Sequence, residues 1–276
     1  MAGETTYTFL NRDLSWLSFN HRVLMEAADP SVPLYNRIGF LSIFASNLDE
    51  FFRVRMPSIY AFTDIRAGKT QLRDEYPKDL VQQVQAMVST QLEEFGQILA
   101  GQILPGLQKE QITLYYGDPV RPEHEETIRE YFLSRVLSFL QPVLLQQQNQ
   151  ANIFLENNAL YFIVEVDSPD LPGSRQYALL NIPSEKLPRF LELPPVGDRH
   201  FIIFMDDIIR ENLGEVFPGF TIHGTWSIKL TRDAELNLQD EFSGDIAEKI
   251  EKQLEKRDAG DVTRLLFDKS MPQNVR

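Results

Sequence analysis

Asn47 and Arg55 are polar residues on the apolar side of a predicted helix, in the stretch Leu41–Arg55 (LSIFASNLDEFFRVR). At about 100° per residue, this stretch forms a helix that is apolar around most of its circumference. Asn47 falls in the middle of an apolar arc and Arg55 falls close to its edge; the arc consists of Phe40, Ile43, Phe44, Phe51 and Val54. A carboxamide left unpaired in such surroundings costs roughly 1–3 kcal/mol, so Asn47 requires hydrogen-bonding partners.

Each of these two residues has a structural and a functional interpretation. Asn47 is either a core residue bonded to neighbouring backbone or a pocket-facing residue that binds an arriving ligand, such as the edge of a purine. Arg55 is either the buried partner of Glu50 or another acid, or a contact for an anion. Periodicity does not choose between these alternatives, because both place the side chain on the same side of the helix.

The four histidines, His21, His124, His200 and His223, form no recognisable catalytic or metal-binding pattern. The motif HExxH is absent, since His124 precedes two glutamates but no second histidine at the required spacing. Histidines scattered in this way do not predict a metal cluster. A histidine nucleophile is chemically feasible in general, but His200 and His223 border predicted strands, which favours structural roles.

Two further patterns are better explained by local structure than by chemistry. Residues 67–70 contain Gly-Lys-Thr, but a phosphate-binding loop also needs a preceding strand and a glycine where this chain has Thr63. Asp206 and Asp207 could bind a hard cation, although acids at the start of a predicted helix more often complement its dipole. The sequence therefore predicts no catalytic residue and no metal ligand in this chain.

The bulk composition excludes several classes of protein. The chain has 276 residues, 43% of them apolar and 24% charged, which suits a globular protein of about two domains. Cysteine is absent, which excludes disulfides and thiolate sites and favours a reducing cytoplasm. No apolar run predicts a transmembrane segment, and the N-terminus lacks a signal-peptide pattern. A net charge of −13 argues against nucleic-acid binding, since a polyanion requires basic faces.

The elements that position Asn47 and Arg55 are predicted to be helices of a small bundle. Asn11 can cap the first helix, and prolines at helix-start positions open the other two. The predicted helices cover residues 11–28, 33–57 and 77–104. Short connections between three such helices predict an all-α, antiparallel N-terminal domain over residues 1–105.

The sequence pattern changes after Pro105 and Gly106, which marks the predicted domain boundary. Beyond it, short runs rich in β-forming residues alternate with fewer helical segments. The predicted strands are Gln111–Tyr116, Ala159–Val166, Gln176–Ile182, His200–Met205, Ile222–Leu230 and Val262–Phe267, and the predicted helices are Pro122–Leu140, Asp206–Leu213 and Glu241–Lys256. This order predicts an α+β domain with a mostly antiparallel sheet over residues 106–276.

Four segments of the chain resemble one family of enzymes. NLDEFFRVR (residues 47–55) and NRDLSWLSFNHRVLMEAAD (residues 11–29) are similar to the N-terminal signature of the bacterial polyphosphate kinases. IPSEKLPRFLELPP (residues 182–195) and SIKLTRDAEL (residues 227–236) resemble segments of the second, or head, domain of that family. The resemblance implies reversible transfer of the γ-phosphoryl group of ATP to the end of a polyphosphate chain, through a phosphorylated histidine.

The same resemblance implies roles for particular residues. In the family, the asparagine of the NLDEFF segment contacts ATP, and by position that residue is Asn47. This favours the ligand-binding interpretation of Asn47, with Arg55 as the weaker nucleotide-binding candidate. The implied substrates are ATP or ADP and polyphosphate, and the implied role of the head domain is self-association.

The resemblance also implies that the reactive centre lies outside this chain. Known members of the family are longer, and two further domains carry the phosphoacceptor histidine, a second histidine and the arginine and Mg²⁺ site for the phosphates. The present sequence stops at MPQNVR, about where the head domain should end. Phosphoryl transfer requires cationic groups and metal around the phosphate, and no motif of this acidic chain supplies them.

We therefore expect an N-terminal piece of an enzyme that does not catalyse the reaction by itself and binds ATP weakly or not at all. The alternative, from another class of function, is a non-catalytic module for protein interaction or oligomerisation.

Overall fold

The computed structural model describes residues 11–61, 79–145, 155–169, 173–233 and 260–276. Of the described residues, those up to Gly106 and Asp233 belong to one compact unit, and Leu107–Arg232 and residues 260–276 belong to a second. The division into domains 1–105 and 106–276 stays a prediction, because compactness does not show that either part folds alone. The Gly-Lys-Thr turn, the predicted start of the third helix and the predicted helix Glu241–Lys256 lie outside the described residues. None of the described helices is long and apolar enough to cross a membrane.

The first unit is helical, as the sequence predicts. Its helices are α1 (Arg12–Ala28), α2 (Leu34–Glu50), α3 (Leu80–Ile98) and α4 (Leu104–Lys109). Asn11 caps α1, because its Oδ1 accepts hydrogen bonds from the backbone N–H groups of Asp13 and Leu14. A π-helical turn, Phe51–Arg55, extends α2 into helical residues 56–61.

The third helix runs further than the sequence predicts. A π-helical turn, Leu99–Ile103, joins α3 to α4, and α4 passes through Pro105 and Gly106 to Lys109. The wider turn accommodates Pro105, which has no N–H for the regular helical ladder. A Cβ atom on Gly106 would lie 2.9 Å from Leu34 Cδ1, so the glycine permits close approach to the start of α2.

The second unit contains strands and helices with mostly antiparallel pairing, which confirms the predicted α+β class. Its strands are β1 (Ile112–Leu114), β2 (Val143–Leu145), β3 (Leu160–Asp167), β4 (Arg175–Ile182), β5 (Phe190–Val196), β6 (Arg199–Phe204), β7 (Thr221–Arg232) and β8 (Val262–Phe267). They form two sheets, an antiparallel one in the order β2-β4-β3-β7-β8 and a three-stranded one in the order β1-β6-β5. Among the described strands, only β1 and β6 pair in parallel, with Ile112 opposite His200.

Helices pack against the inner faces of these sheets and complete one core. They are α5 (Pro122–Tyr131), α6 (Met205–Glu211) and α7 (Leu213–Val216), and a π-helical turn, Phe132–Val136, follows α5. Phe132 from this turn and Phe162 from β3 belong to the same cluster as Ile203 from β6, and all three are fully buried. Both sheets therefore pack against the helices in this core.

Two strands of this unit, β2 and β5, are absent from the sequence prediction. Strand β5 contains Pro194 and Pro195, which cannot donate ladder hydrogen bonds, and its pairing with β6 is irregular between Leu193 and Val196. It lies at the edge of its sheet, where proline is tolerated. Strand β2 has three residues, which is too short for a recognisable alternation.

Candidate functional site

Apolar packing holds α1 and α2 together and so determines where Asn47 and Arg55 lie. The two helices contact each other, and each contributes apolar residues that are at most 4% exposed; these are Leu17, Leu24 and Ala27 of α1 and Leu41, Phe44 and Leu48 of α2. Burying a side chain such as leucine or phenylalanine contributes about 1.5–3 kcal/mol. This packing therefore fixes the positions of the polar groups along the contact between α1 and α2, which is called the seam below.

Asn47 lies at the edge of this buried face and not in its middle. The side chain is partly buried, whereas Ile43, one turn earlier on the same helix, is 48% exposed. Phe44 is fully buried, so the core-facing direction of α2 passes to one side of Asn47. Because the helix is apolar around most of its circumference, periodicity could not tell which apolar residues face the core.

The carboxamide of Asn47 is bonded to another carboxamide, that of Asn20 on α1. Asn47 Nδ2 donates to Asn20 Oδ1 at 3.0 Å, and Asn20 Nδ2 donates to the carbonyl oxygen of Phe44 at 3.2 Å. Asn20 is fully buried. In the described residues, Asn47 Oδ1 receives no hydrogen bond, so the whole acceptor capacity of this side chain is left for another group.

Arg55 is the partner of a buried acid, Asp13, which stands in the first turn of α1. Arg55 Nε and Nη2 both donate to Asp13 Oδ1, at 2.9 and 2.7 Å, and the Asp13 side chain is only 2% exposed. Arg55 therefore pairs with an acid, as the structural interpretation expects, and that acid is Asp13 and not Glu50. Glu50 accepts two hydrogen bonds from Arg53 instead, at 2.9 Å each.

Arg55 retains donors beyond those that Asp13 uses. Its side chain is 32% exposed, and within the described ranges its Nη1 makes no hydrogen bond. Asp13 also has capacity left, since its Oδ2 is buried without a hydrogen bond and lies 4.0 Å from Arg12 Nε. The pair is thus a structural ion pair with one face still open to an anion.

An aromatic contact separates the two polar pairs. Trp16 of α1 and Phe51 of the π-helical turn are stacked, with ring centroids 5.1 Å apart and an interplanar angle of 22°. Asn47 and Arg55 are eight residues apart, or about 12 Å along the helix at about 1.5 Å per residue. Side chains at this separation along a helix suit contacts with different groups of a bound molecule.

Sequence reasoning missed the three α1 residues of this seam, Asp13, Trp16 and Asn20. The signal was present, because Asp13 and Asn20 are seven residues apart and flank Leu17 on one face of the helix. Applying the argument made for Asn47 to α1 would have identified both polar residues as being in apolar surroundings. It would not have paired them with their partners, since pairing depends on how the two helices pack.

The buried histidine, His124, shows the opposite arrangement. His124 is fully buried; its Nε2 lies 2.9 Å from the carbonyl oxygen of Pro194 and its Nδ1 lies 2.9 Å from the Tyr115 hydroxyl. Burial raises the pKa of Tyr115, so the hydroxyl keeps its proton. The same hydroxyl accepts a hydrogen bond from the backbone N–H of Arg121 at 3.2 Å. Both ring nitrogens of His124 therefore have protein partners.

The other three histidines each lie beside one acid. His21 Nε2 is 2.6 Å from Glu94 Oε2, and His223 Nε2 is 3.0 Å from Asp167 Oδ2. His200 is exposed and lies 3.7 Å from Glu192. In the part of the chain that the structure describes, no three potential metal-ligating side chains of the His, Cys, Asp and Glu types come together.

The two acids at the start of α6 are each paired with an arginine. Asp206 accepts two hydrogen bonds from Arg189, one of them at 2.7 Å, and Asp207 accepts one from Arg210. Burial raises the pKa of both carboxyls, against the opposing effect of the arginines. These oxygens are engaged by guanidinium groups, which leaves them poorly suited to binding Mg²⁺.

Comparison with known proteins supports the resemblance to the polyphosphate kinases that the sequence motifs indicate. The profile of the polyphosphate kinase N-terminal domain matches residues 9–115, and that of the polyphosphate kinase middle domain matches residues 123–276. The chain is 33% identical to the polyphosphate kinase of Escherichia coli strain K12 over 269 residues, covering 96% of this chain and 38% of that protein. For the polyphosphate kinase of Vibrio parahaemolyticus, the identity is 33% over 280 residues, covering 100% of this chain and 39% of that protein.

A solved structure agrees with the fold. The crystal structure of polyphosphate kinase from Porphyromonas gingivalis superposes with a TM-score of 0.79 at 35% identity, covering 98% of this chain and 37% of that chain. The chain thus spans somewhat less than two fifths of the length of the relatives it matches. It belongs to the polyphosphate kinase family and corresponds to the N-terminal and middle domains of that family.

Proposed function

We propose that this chain forms the nucleotide-binding wall and the middle domain of an enzyme that transfers the γ-phosphoryl group of ATP reversibly to polyphosphate. In this proposal, the phosphoryl group passes through a phosphohistidine supplied by further domains. Membership of the family supports the reaction class. The acidic balance of the chain and the pairing of Asp206 and Asp207 with arginines support a reactive centre elsewhere.

The observation that supports the proposal most directly is that Asn47 Oδ1 accepts no hydrogen bond from any described residue. A side chain saturated by main-chain partners would have no capacity for a ligand, whereas Asn47 uses one N–H group on Asn20 and keeps Oδ1 available. An amide presents an acceptor beside a donor, which matches the edge of an adenine base. Asn47 is therefore the proposed base contact.

Arg55 is the second proposed nucleotide-binding residue. Its first role is to neutralise Asp13, and only the donors on its open side remain for a phosphate. Its distance of about 12 Å from Asn47 along the helix suits a contact with a part of the nucleotide other than the base. An anion at this position would share the guanidinium with Asp13, so its contribution to affinity is expected to be smaller than that of Asn47.

Mg²⁺ is proposed to bind with the phosphates, through residues outside this chain. It would stabilise the negative charge that develops during phosphoryl transfer. Asp206 and Asp207 do not fit the role, because each is held by an arginine. The proposal therefore assigns no metal ligand to the described residues.

The middle domain is also proposed to associate with a second copy of the chain. The edge strands of its larger sheet, β2 and β8, carry exposed apolar side chains; these are Val143, Leu144 and Leu145 on β2 and Val262, Leu265 and Phe267 on β8. Apolar edge strands favour pairing with another chain. This feature also supports the alternative, in which the chain is only an interaction module.

One comparison separates the enzyme from the interaction module. The purified chain and a longer polypeptide that continues through the two further domains are incubated with ATP and Mg²⁺, and polyphosphate is measured. We expect synthesis by the longer polypeptide and none by the chain alone. Synthesis by the chain alone would contradict the assignment of the reactive centre. Failure of the longer, folded polypeptide, together with a dimer of the chain that ignores nucleotide, would favour the interaction module.

A further inference from the structure

We propose that Asn20, which cannot touch the nucleotide, fixes the orientation of the Asn47 carboxamide and thereby makes the site prefer adenine to guanine. The proposal rests on the proposed base contact of Asn47 and goes beyond it, because it assigns base selectivity to a buried residue on another helix. Asn20 acts as a positioning residue.

The orientation begins at the backbone of α2. The carbonyl oxygen of Phe44 can only accept hydrogen bonds, and it lies 3.2 Å from the Asn20 side chain. The Asn20 carboxamide must therefore turn its Nδ2 group towards Phe44. Its Oδ1 is then directed to the other side, where Asn47 lies 3.0 Å away.

The second hydrogen bond determines the orientation of the Asn47 carboxamide. Because Asn20 Oδ1 is an acceptor, Asn47 must present Nδ2 to it, and Asn47 Oδ1 is held on the side away from Asn20. A flipped Asn47 would bring two carbonyl oxygens together at hydrogen-bonding distance. That contact would lose the bond and leave the fully buried Asn20 oxygen unpaired, which favours a single orientation.

A fixed acceptor discriminates between purines. Adenine carries an amino group, a donor, at the position where guanine carries the O6 acceptor. An outward-facing Asn47 Oδ1 can accept from the amino group of adenine, whereas it would meet the O6 oxygen of guanine as a second acceptor. A carboxamide free to flip could serve either base. The two hydrogen bonds, from Asn20 to Phe44 and from Asn47 to Asn20, are called the relay below. They hold the Asn47 carboxamide in one orientation, in which it is selective for adenine.

The test measures kcat and KM for ATP and for GTP in the longer enzyme with Asn20→Leu, which removes the acceptor at similar volume. We expect the kcat/KM for ATP to fall about tenfold, mainly through KM, and the preference for ATP over GTP to fall by a similar factor. Asn47→Ala should lower the same preference, and the double variant should be no worse than Asn47→Ala alone.

Gln91→Leu is the matched control. Gln91 is a buried amide of the same helical unit, 4% exposed, and donates to the carbonyl oxygen of Leu17 and not to a group of the Asn20–Asn47 pair. It should lower stability but leave the preference for ATP unchanged. An equal loss of preference in Gln91→Leu would show that any loosening of the unit has this effect, and would overturn the relay.

Further outcomes distinguish the relay from the base contact. If Asn47→Ala lowers the preference and a folded Asn20→Leu does not, the relay is wrong and the contact stands. If Asn47→Ala leaves the KM for ATP unchanged, the contact itself is wrong. The unmodified enzyme provides a test without any variant, because equal use of ATP and GTP would overturn the proposal.

Discussion

The seam around Asn47 and the surroundings of His124 both place a polar side chain against apolar packing, but they differ in what is left unsatisfied. Both ring nitrogens of His124 have a partner within the protein. At the seam, Asn47 Oδ1 and Arg55 Nη1 make no hydrogen bond to any described residue. Burial is therefore not the feature that separates a structural polar residue from a candidate for ligand binding. The difference lies in the hydrogen-bonding capacity that the fold leaves over.

This comparison predicts that His124 stabilises the fold and does not affect nucleotide use. Of the substitutions considered below, that of His124 should lower the free energy of unfolding most. In His124→Leu, the Tyr115 hydroxyl keeps only the N–H of Arg121 as a partner, the Pro194 carbonyl loses the ring nitrogen, and the edge contact with Phe201 is lost as well. We expect the free energy of unfolding to fall by about 3–4 kcal/mol, as measured by denaturant titration.

His200→Leu is the control for this change, since His200 is exposed and should alter the free energy of unfolding by no more than about 0.5 kcal/mol. An unchanged stability of His124→Leu would show that its polar contacts contribute nothing. A raised KM for ATP in a folded His124→Leu enzyme would contradict its purely structural role.

Arg55 should give an intermediate effect, because its partner is buried but the arginine is one third exposed. Arg55→Met leaves the Asp13 carboxylate, 2% exposed, without its two hydrogen bonds. Removing one partner of a fully buried pair costs about 3–5 kcal/mol, and partial exposure together with nearby Arg12 reduces this to about 2 kcal/mol.

Arg53→Met is a closely matched comparison, two residues away on the same helix. Arg53 and Glu50 are both largely exposed, at 44% and 55%, so losing that ion pair should cost about 0–1 kcal/mol. Chemical denaturation of the two variants measures the difference. Equal losses would mean that the burial of Asp13 does not decide the strength of its pair with Arg55.

The extent to which the sequence predicted this structure differs from element to element. The capped helix at Asn11 and strands such as β3 and β7 follow from local signals, namely a polar cap and the alternation of apolar residues. Strand β5 did not, because Pro194 and Pro195 argue against a strand unless its edge position is known.

For the site, the sequence identified Asn47 and Arg55 as unusual but could not supply their partners. Asp13 and Asn20 lie 42 and 27 positions away along the chain, and their pairing depends on the register of two helices. The placement of Asn47 at the edge of the core was equally inaccessible, since both sides of α2 are apolar. The resemblance to a family favours the ligand-binding interpretation of Asn47, which stays a prediction, whereas the periodicity of one helix leaves both interpretations open.

Asn47 should give the smallest effect on stability and a large effect on function, and this contrast tests the central claim most directly. In the longer enzyme, Asn47→Ala removes one hydrogen bond and should lower the free energy of unfolding by about 1 kcal/mol. The KM for ATP should rise about tenfold or more, because the proposed contact is with the base. Asn36→Ala, an exposed residue of the same helix, should change neither quantity. A collapse of thermal stability with an unchanged KM for ATP would show that Asn47 is a core residue and not a nucleotide contact.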